Sequence, residues 1–221
     1  WADRRIIVNR EPVGVIAAIT PWNFPSSMLS RKIGPALAAG CTAVVKPASQ
    51  TPYSGLAWGA LCEEVGIPKG VVNIVTGSAG EIGDELCTNP LVKKITFTGS
   101  TEVGKILIEK SASTVKKVSM ELGGNAPFLV FDDADLDRAV QGAITAKYRN
   151  SGQTCVCTNR FFVQAGVYEE FVQKLAEASK QLKVGPGLED GVQQGPLIDE
   201  KAVEKVEEFI ADAISNGGRV V

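Results

Sequence analysis

The chain has 221 residues, 44% of them hydrophobic, and a formal net charge of −2. That is enough apolar surface for a substantial core and too little basic excess for a nucleic-acid partner. It contains no histidine, which excludes within these residues a Ser-His-Asp triad, a Cys-His nucleophile pair and a His-ligated metal, so no metal site is expected.

No apolar run approaches the roughly 20 residues that span a bilayer, so no membrane partner is expected. The five cysteines show no paired framework and fit a reducing compartment, the cytoplasm. The chain opens on Trp1 without an initiator Met and stops at Arg219-Val220-Val221, an apolar strand-like pair. It therefore reads as a piece of a longer chain.

In chain order, Gly14 to Thr20 is an apolar strand that runs into Pro21-Trp22-Asn23-Phe24-Pro25, where two prolines force an extended turn. A helix follows from about Ser26 to Ala39 and stops at Gly40. Thr42 to Lys46 is the next strand. Thr51-Pro52 reads as the N-cap and first position of a helix ending near Gly66. Val71 to Val75 is a third strand, and Gly77-Ser78-Ala79-Gly80 leads into a short helix. Lys94 to Thr98 is a fourth, Gly99-Ser100 opens a helix to about Ser111, and Lys117 to Glu121 is a fifth.

Short strands separated by helices call for a parallel sheet of the doubly wound dinucleotide-binding type. Gly123-Gly124 then marks a hinge. Beyond it come a strand at Ala126 to Val130, a helix from about Asp135 to Tyr148, a strand at Arg160 to Gln164, and helices near 167–181 and 200–216. These predict a second α/β unit.

Gly99-Ser100-Thr101-Glu102-Val103-Gly104-Lys105 has the spacing of a phosphate-cradling Walker loop. Its last position fails, because Ile106 stands where Ser or Thr must ligate magnesium, and Glu102 would put a negative charge in the phosphate nest. A nucleotide hydrolase is thereby disfavoured. A strand, a Gly-Ser turn and a helix N-terminus still suit a pyrophosphate, although a glycine that merely turns strand into helix reads the same way.

The candidate for covalent chemistry is Cys155, at the end of the small-residue turn Asn150-Ser151-Gly152-Gln153-Thr154. A thiolate there could act as nucleophile, and with no histidine the assisting base must be a carboxylate or a lysine. The plain alternative is a small buried hydrophobe.

Pro21-Trp22-Asn23-Phe24-Pro25, Lys46-Pro47-Ala48, Phe97-Thr98-Gly99-Ser100, Glu121-Leu122-Gly123-Gly124 and Gly152-Gln153-Thr154-Cys155 stand in this order. With them the whole chain resembles the aldehyde dehydrogenase superfamily. Ser30-Arg31-Lys32, Lys46 to Thr51 and Arg149 to Cys157 make it most similar to the bacterial NADP-using succinate-semialdehyde dehydrogenases.

The resemblance implies residues 1–122 as the cofactor-binding domain without its N-terminal part, and 123–221 as the catalytic domain without its C-terminal part. It also implies Cys155 as nucleophile, Asn23 and the Cys155 backbone amide as oxyanion donors, and Glu121 as the carboxylate that activates water. Arg31 and Arg149 could face one pocket and grip the distal carboxylate of a short acid-aldehyde. Lys46 is placed on the adenosine ribose, Gly99 and Ser100 near the pyrophosphate, and Trp22, Thr98 and Leu122 around the cofactor.

Ser49, where NAD-preferring relatives commonly carry glutamate, favours NADP, with NAD as the alternative cofactor. A homo-oligomer is expected of the full-length protein. Cys157 is a candidate redox partner of Cys155 if the segment between them is extended, with a packed second thiol as the plainer reading. Glutarate semialdehyde is the alternative substrate, and an inert protein with the same fold is the alternative outside catalysis.

Overall fold

The computed structural model describes residues 3–221. The chain divides into two compact units, the first ending at Gly123 and the second starting at Gly124.

The first unit carries β1 (Val15–Ile19), α1 (Pro25–Ala38), β2 (Thr42–Lys46), α2 (Pro52–Glu64), β3 (Val72–Ile74), α3 (Ala79–Thr88), β4 (Val92–Thr98), α4 (Thr101–Ala112) and β5 (Lys117–Glu121). The strands form one five-stranded sheet in the order β3-β2-β1-β4-β5, and every pairing is parallel. Apolar side chains on successive positions of a parallel strand go to opposite faces, and both faces are covered here. Ile16 and Ala18 pack with Leu29 and Ile33 of α1 and Val45 of β2. Ala17, on the other face, packs with Leu86 of α3, Leu107 of α4, and Ile95 and Phe97. This is a doubly wound α/β unit. Each fully buried leucine or isoleucine contributes about 1.5–3 kcal/mol from its removal from water.

Helix boundaries follow short-range chemistry. Pro25 opens α1, and Gly40, with φ +77°, takes the left-handed position that closes it. Ser78 and Ser100 cap α3 and α4, accepting hydrogen bonds from the amides of Glu81 and Val103. The expected Thr51 cap is corrected: Thr51 stands at the N-cap of α2, but its hydroxyl is buried and bonds to no amide. Pro52 at the first position starts this helix instead.

The second unit holds β6 (Ala126–Val130), α5 (Leu136–Tyr148), β7 (Thr158–Val163), α6 (Tyr168–Lys180) and α7 (Glu200–Ser215). β6 and β7 pair in parallel, and α5 lies between them in the chain, making one βαβ unit. Phe171 of α6, 1% exposed, fills its core beside Val130, Val140 and Ala143. Asp135 caps α5 and Asp199 caps α7. The strand-like reading of Arg219-Val220-Val221 is corrected: these residues form no regular structure and lie exposed. Among the described residues no helix is long and apolar enough to cross a membrane.

Candidate active site

In the first unit the expected site residues other than Arg31 gather at one end of the sheet. In register, Ile19 faces Lys46 across β1 and β2, Ile19 faces Phe97 across β1 and β4, and Thr98 faces Glu121 across β4 and β5. The carboxyl ends of four strands therefore lie level. Trp22 and Asn23, both half-buried, leave β1 there, and Gly99 and Ser100 leave β4. The strand order reverses between β1 and β4, and the crevice outside such a switch point is where doubly wound sheets bind ligands.

The details at this end fit a dinucleotide. A Cβ on Gly99 would run into the ring of buried Phe97, and the Gly99 amide donates to the Glu121 carbonyl at 3.0 Å. Behind it α4 points its N-terminus outward with Ser100 as cap. Lys46 is buried, its Nζ donates to the Pro47 carbonyl at 3.2 Å, and burial pushes its ammonium below the usual lysine value. Ser49 is exposed in the following turn, and its hydroxyl makes no hydrogen bond among the described residues. Thr98 is buried. The Leu122 side chain packs against Gly104, where a Cβ would come within 2.6 Å of it. The second glycine of the Walker-like spacing thus seats α4 on Leu122.

Glu121 ends β5 with its side chain exposed. Beside it the structure adds a residue that sequence reasoning missed. Lys32 lies on the inner face of α1, 8% exposed, and its Nζ donates to Thr96 Oγ1 at 3.1 Å. Burial lowers its pKa to about 8, against the attraction of the Glu121 carboxylate, which raises it, while Lys94 lowers it further. The available signal was position: Lys32 falls between Leu29 and Ile33, on the buried stripe of α1. Arg31 is exposed and, with Lys32, Lys94, Thr96, Ser119 and Glu11, lines a cavity of about 370 Å³. Three of its lining residues, Arg31, Lys32 and Lys94, are cationic and one, Glu11, is acidic, while apolar residues such as Val13 and Ile16 make up much of the rest.

In the second unit α5 ends at Tyr148, and Arg149 to Gly152 form one tight turn. Asn150, Ser151 and Gly152 have φ of 53°, 56° and 79°, three consecutive residues in the left-handed region. Glycine accepts this freely and asparagine readily, but Ser151 carries a cost on the order of 1–2 kcal/mol. Such a turn persists only if its surroundings hold it.

Cys155 follows, exposed, in a turn closed by the Cys157 amide donating to the Thr154 carbonyl at 3.3 Å. The extended geometry that would align Cys155 with Cys157 is therefore corrected. Cys157 is 1% exposed, its thiol directed at the Lys147 carbonyl at 3.5 Å and contacted by Thr154 Oγ1 at 2.8 Å. Both cysteines are free thiols, and Cys157 is the packed one. Arg149, exposed, belongs to this unit, whereas Arg31 belongs to the first. Among the described residues no group of three or more His, Cys, Asp or Glu could hold a metal.

The aldehyde dehydrogenase family model matches residues 2–221. The chain belongs to the aldehyde dehydrogenase family. It is 67% identical over 219 residues to a glutarate-semialdehyde dehydrogenase of Pseudomonas aeruginosa, covering 99% of this chain and 45% of that protein. It is 64% identical over 220 residues to the NADP(+) succinate-semialdehyde dehydrogenase of Escherichia coli, covering 100% of this chain and 46% of that one. The crystal structure of an E. coli NADP-dependent enzyme superposes with a TM-score of 0.94 at 64% identity, over 96% of this chain and 44% of that one. The chain thus spans about half the length of the aldehyde dehydrogenases it matches.

Proposed function

We propose that the protein carrying this chain oxidises succinate semialdehyde to succinate with NADP through a thioester on Cys155. The observation that carries the reading is the exposed Cys155 thiol three residues after a turn held in a costly left-handed conformation, next to a second thiol that is buried and engaged. Family membership supports the same chemistry.

The Cys155 thiolate attacks the aldehyde carbon, and the carbonyl oxygen becomes an oxyanion held by the Asn23 side-chain amide and the Cys155 backbone amide. Bound NADP supplies the acceptor for the hydride lost as this adduct becomes a thioester. Glu121 takes a proton from water, the water oxygen bonds to the thioester carbon, and the carbon–sulfur bond breaks to release the acid and the thiolate. Lys32 is the cation beside Glu121.

Residues 1–122 act as the cofactor domain in this reading and 123–221 as part of the catalytic domain. Lys46 and Ser49 would hold the 2′-phosphate and ribose, with Gly99 and Ser100 at the pyrophosphate and Trp22, Thr98 and Leu122 around them. The outward N-terminus of α4 after Ser100 and the unengaged Ser49 hydroxyl support this assignment. Arg31 and Arg149 would hold the distal carboxylate of the substrate.

Glutarate semialdehyde, one carbon longer, is the second reading, favoured by the name of the 67% identical relative. The full-length protein is proposed to be a homo-oligomer of the cytoplasm, a compartment in keeping with five free cysteines. Steady-state rates on succinate semialdehyde, glutarate semialdehyde and butanal, each with NADP and NAD, test the reading. The expected ranking puts an acid-aldehyde with NADP first. Equal kcat/KM on butanal would reject the substrate class.

A further inference from the structure

The left-handed turn before Cys155 is held from a distance. Ser151 Oγ donates to the Gly195 carbonyl at 3.1 Å, and Gln153 Oε1 accepts the Ile198 amide at 2.9 Å. Through its other end Gln153 reaches back, Nε2 donating to the Asn150 carbonyl at 3.1 Å. One glutamine side chain therefore bridges the strained turn and a segment remote in sequence.

That segment is fixed on both sides. Before it, Gln194 bridges to Val184 in parallel, and its carbonyl accepts the Gly185 amide at 3.0 Å. After it, Asp199 caps α7, accepting the Ala202 amide at 3.0 Å. Pro196 stiffens the stretch between. On the far side of the nucleophile, Gly124 lies so close that a Cβ would come within 2.7 Å of the Cys155 carbonyl oxygen. The Cys155 backbone is thus confined between Gly124 and a turn that the 195–198 segment holds.

We propose that residues 195–198 form a positioning clamp for the nucleophile, acting through Ser151 and above all Gln153 to hold the strained turn that presents Cys155. The clamp rests on the reading of Cys155 as nucleophile. Ser151 and Gln153 are positioning residues: they act on the reacting thiol through the backbone. Without the clamp the left-handed turn relaxes and the thiol spends less time where attack occurs. Substrate and cofactor binding are left largely intact, so the loss falls on kcat.

The test compares Gln153→Met, which keeps length and loses both hydrogen bonds, with Gln153→Glu, which keeps an acceptor for the Ile198 amide. Both are made in the full-length protein. Gln153→Met should lower kcat about tenfold, the equivalent of one to two hydrogen bonds, with each KM within about threefold of the parent. It should slow iodoacetamide alkylation of Cys155, read by peptide mass spectrometry, by a similar factor while alkylation of Cys62 is unchanged. Gln153→Glu should recover most of the alkylation rate.

Ser151→Gly, which accepts the left-handed backbone but gives up the Gly195 bond, serves if Gln153→Met does not fold. It should slow Cys155 alkylation about threefold. Alkylation of Cys155 within twofold of the parent in both Gln153→Met and Ser151→Gly would overturn the clamp. Slowed alkylation with unchanged turnover would keep the clamp and remove Cys155 as the nucleophile.

Discussion

Gly124→Ala probes the fit around Cys155 with one added methyl group. Gly124 is not in the left-handed region, so alanine strains nothing in its own backbone and the effect comes from contact alone. The new Cβ would start 2.7 Å from the Cys155 carbonyl oxygen, where ordinary contact begins at 3.4 Å, so the two must separate by about 0.7 Å. A backbone carbonyl cannot swing aside as a side-chain tip can. The peptide plane that holds this oxygen, shared with the Val156 amide, moves as a unit, and through the Cys155 Cα it displaces the Cys155 amide assigned to the oxyanion. Misplacing a reacting group by about 1 Å costs about a hundredfold in rate, so a shift of this size should lower kcat on the order of ten- to a hundredfold. The KM for NADP should stay within about twofold, since the contact does not involve the cofactor residues. Steady-state kinetics with a thermal melt as folding control measure this. A folded Gly124→Ala variant with kcat within twofold of the parent would refute the argument that the Cys155 backbone has no room.

Ser49→Glu should lower kcat/KM for NADP at least tenfold and leave NAD unchanged or better, because it replaces a donor to the 2′-phosphate with a repelling charge; an unaltered NADP to NAD ratio places selectivity elsewhere. Arg149→Ala should raise KM for succinate semialdehyde far more than for butanal, and equal effects would remove the carboxylate grip. Lys32 has a folded-state pKa of about 8 against an ordinary 10.5, so the unfolded chain binds more protons between those values and stability rises as pH climbs from about 8 towards 10.5. Lys32→Met should reduce that rise, seen as denaturation midpoints that separate less between pH 7.5 and pH 10, with the remainder carried by other buried lysines such as Lys46; an unchanged separation assigns the linkage to another group.

The sheet was legible because glycine and proline punctuate it and both its faces are buried. β5 and β6 fall where their residues place them, at Lys117–Glu121 and Ala126–Val130. β4 begins earlier than its apolar pattern implies, at Val92, since Lys93 and Lys94 interrupt the alternation while Val92 is buried. Likewise β7 begins at Thr158, which burial rather than hydrophobicity marks as part of the strand.

Lys32 escaped because a lysine pattern reads as surface, whereas this one is held under the sheet end by Thr96 and faces Glu121. The left-handed backbone of Ser151 has no local signal, because serine is not a residue that favours it. Its partner is Gly195, and only the folded second unit brings the two together. The extended reading of Cys155 to Cys157 failed for a local reason: the bond from the Cys157 amide to the Thr154 carbonyl closes the chain into a turn.

The central claim is that the acyl group passes through Cys155 and leaves by water that Glu121 activates. In Glu121→Gln the thioester should form and persist. Mixing the full-length variant with succinate semialdehyde and NADP should then give a burst of reduced cofactor equal to the enzyme concentration. Acid quench and peptide mass spectrometry should find a succinyl group on Cys155 and on no other cysteine. Steady turnover without a burst, or an acyl group on any residue but Cys155, would contradict the account.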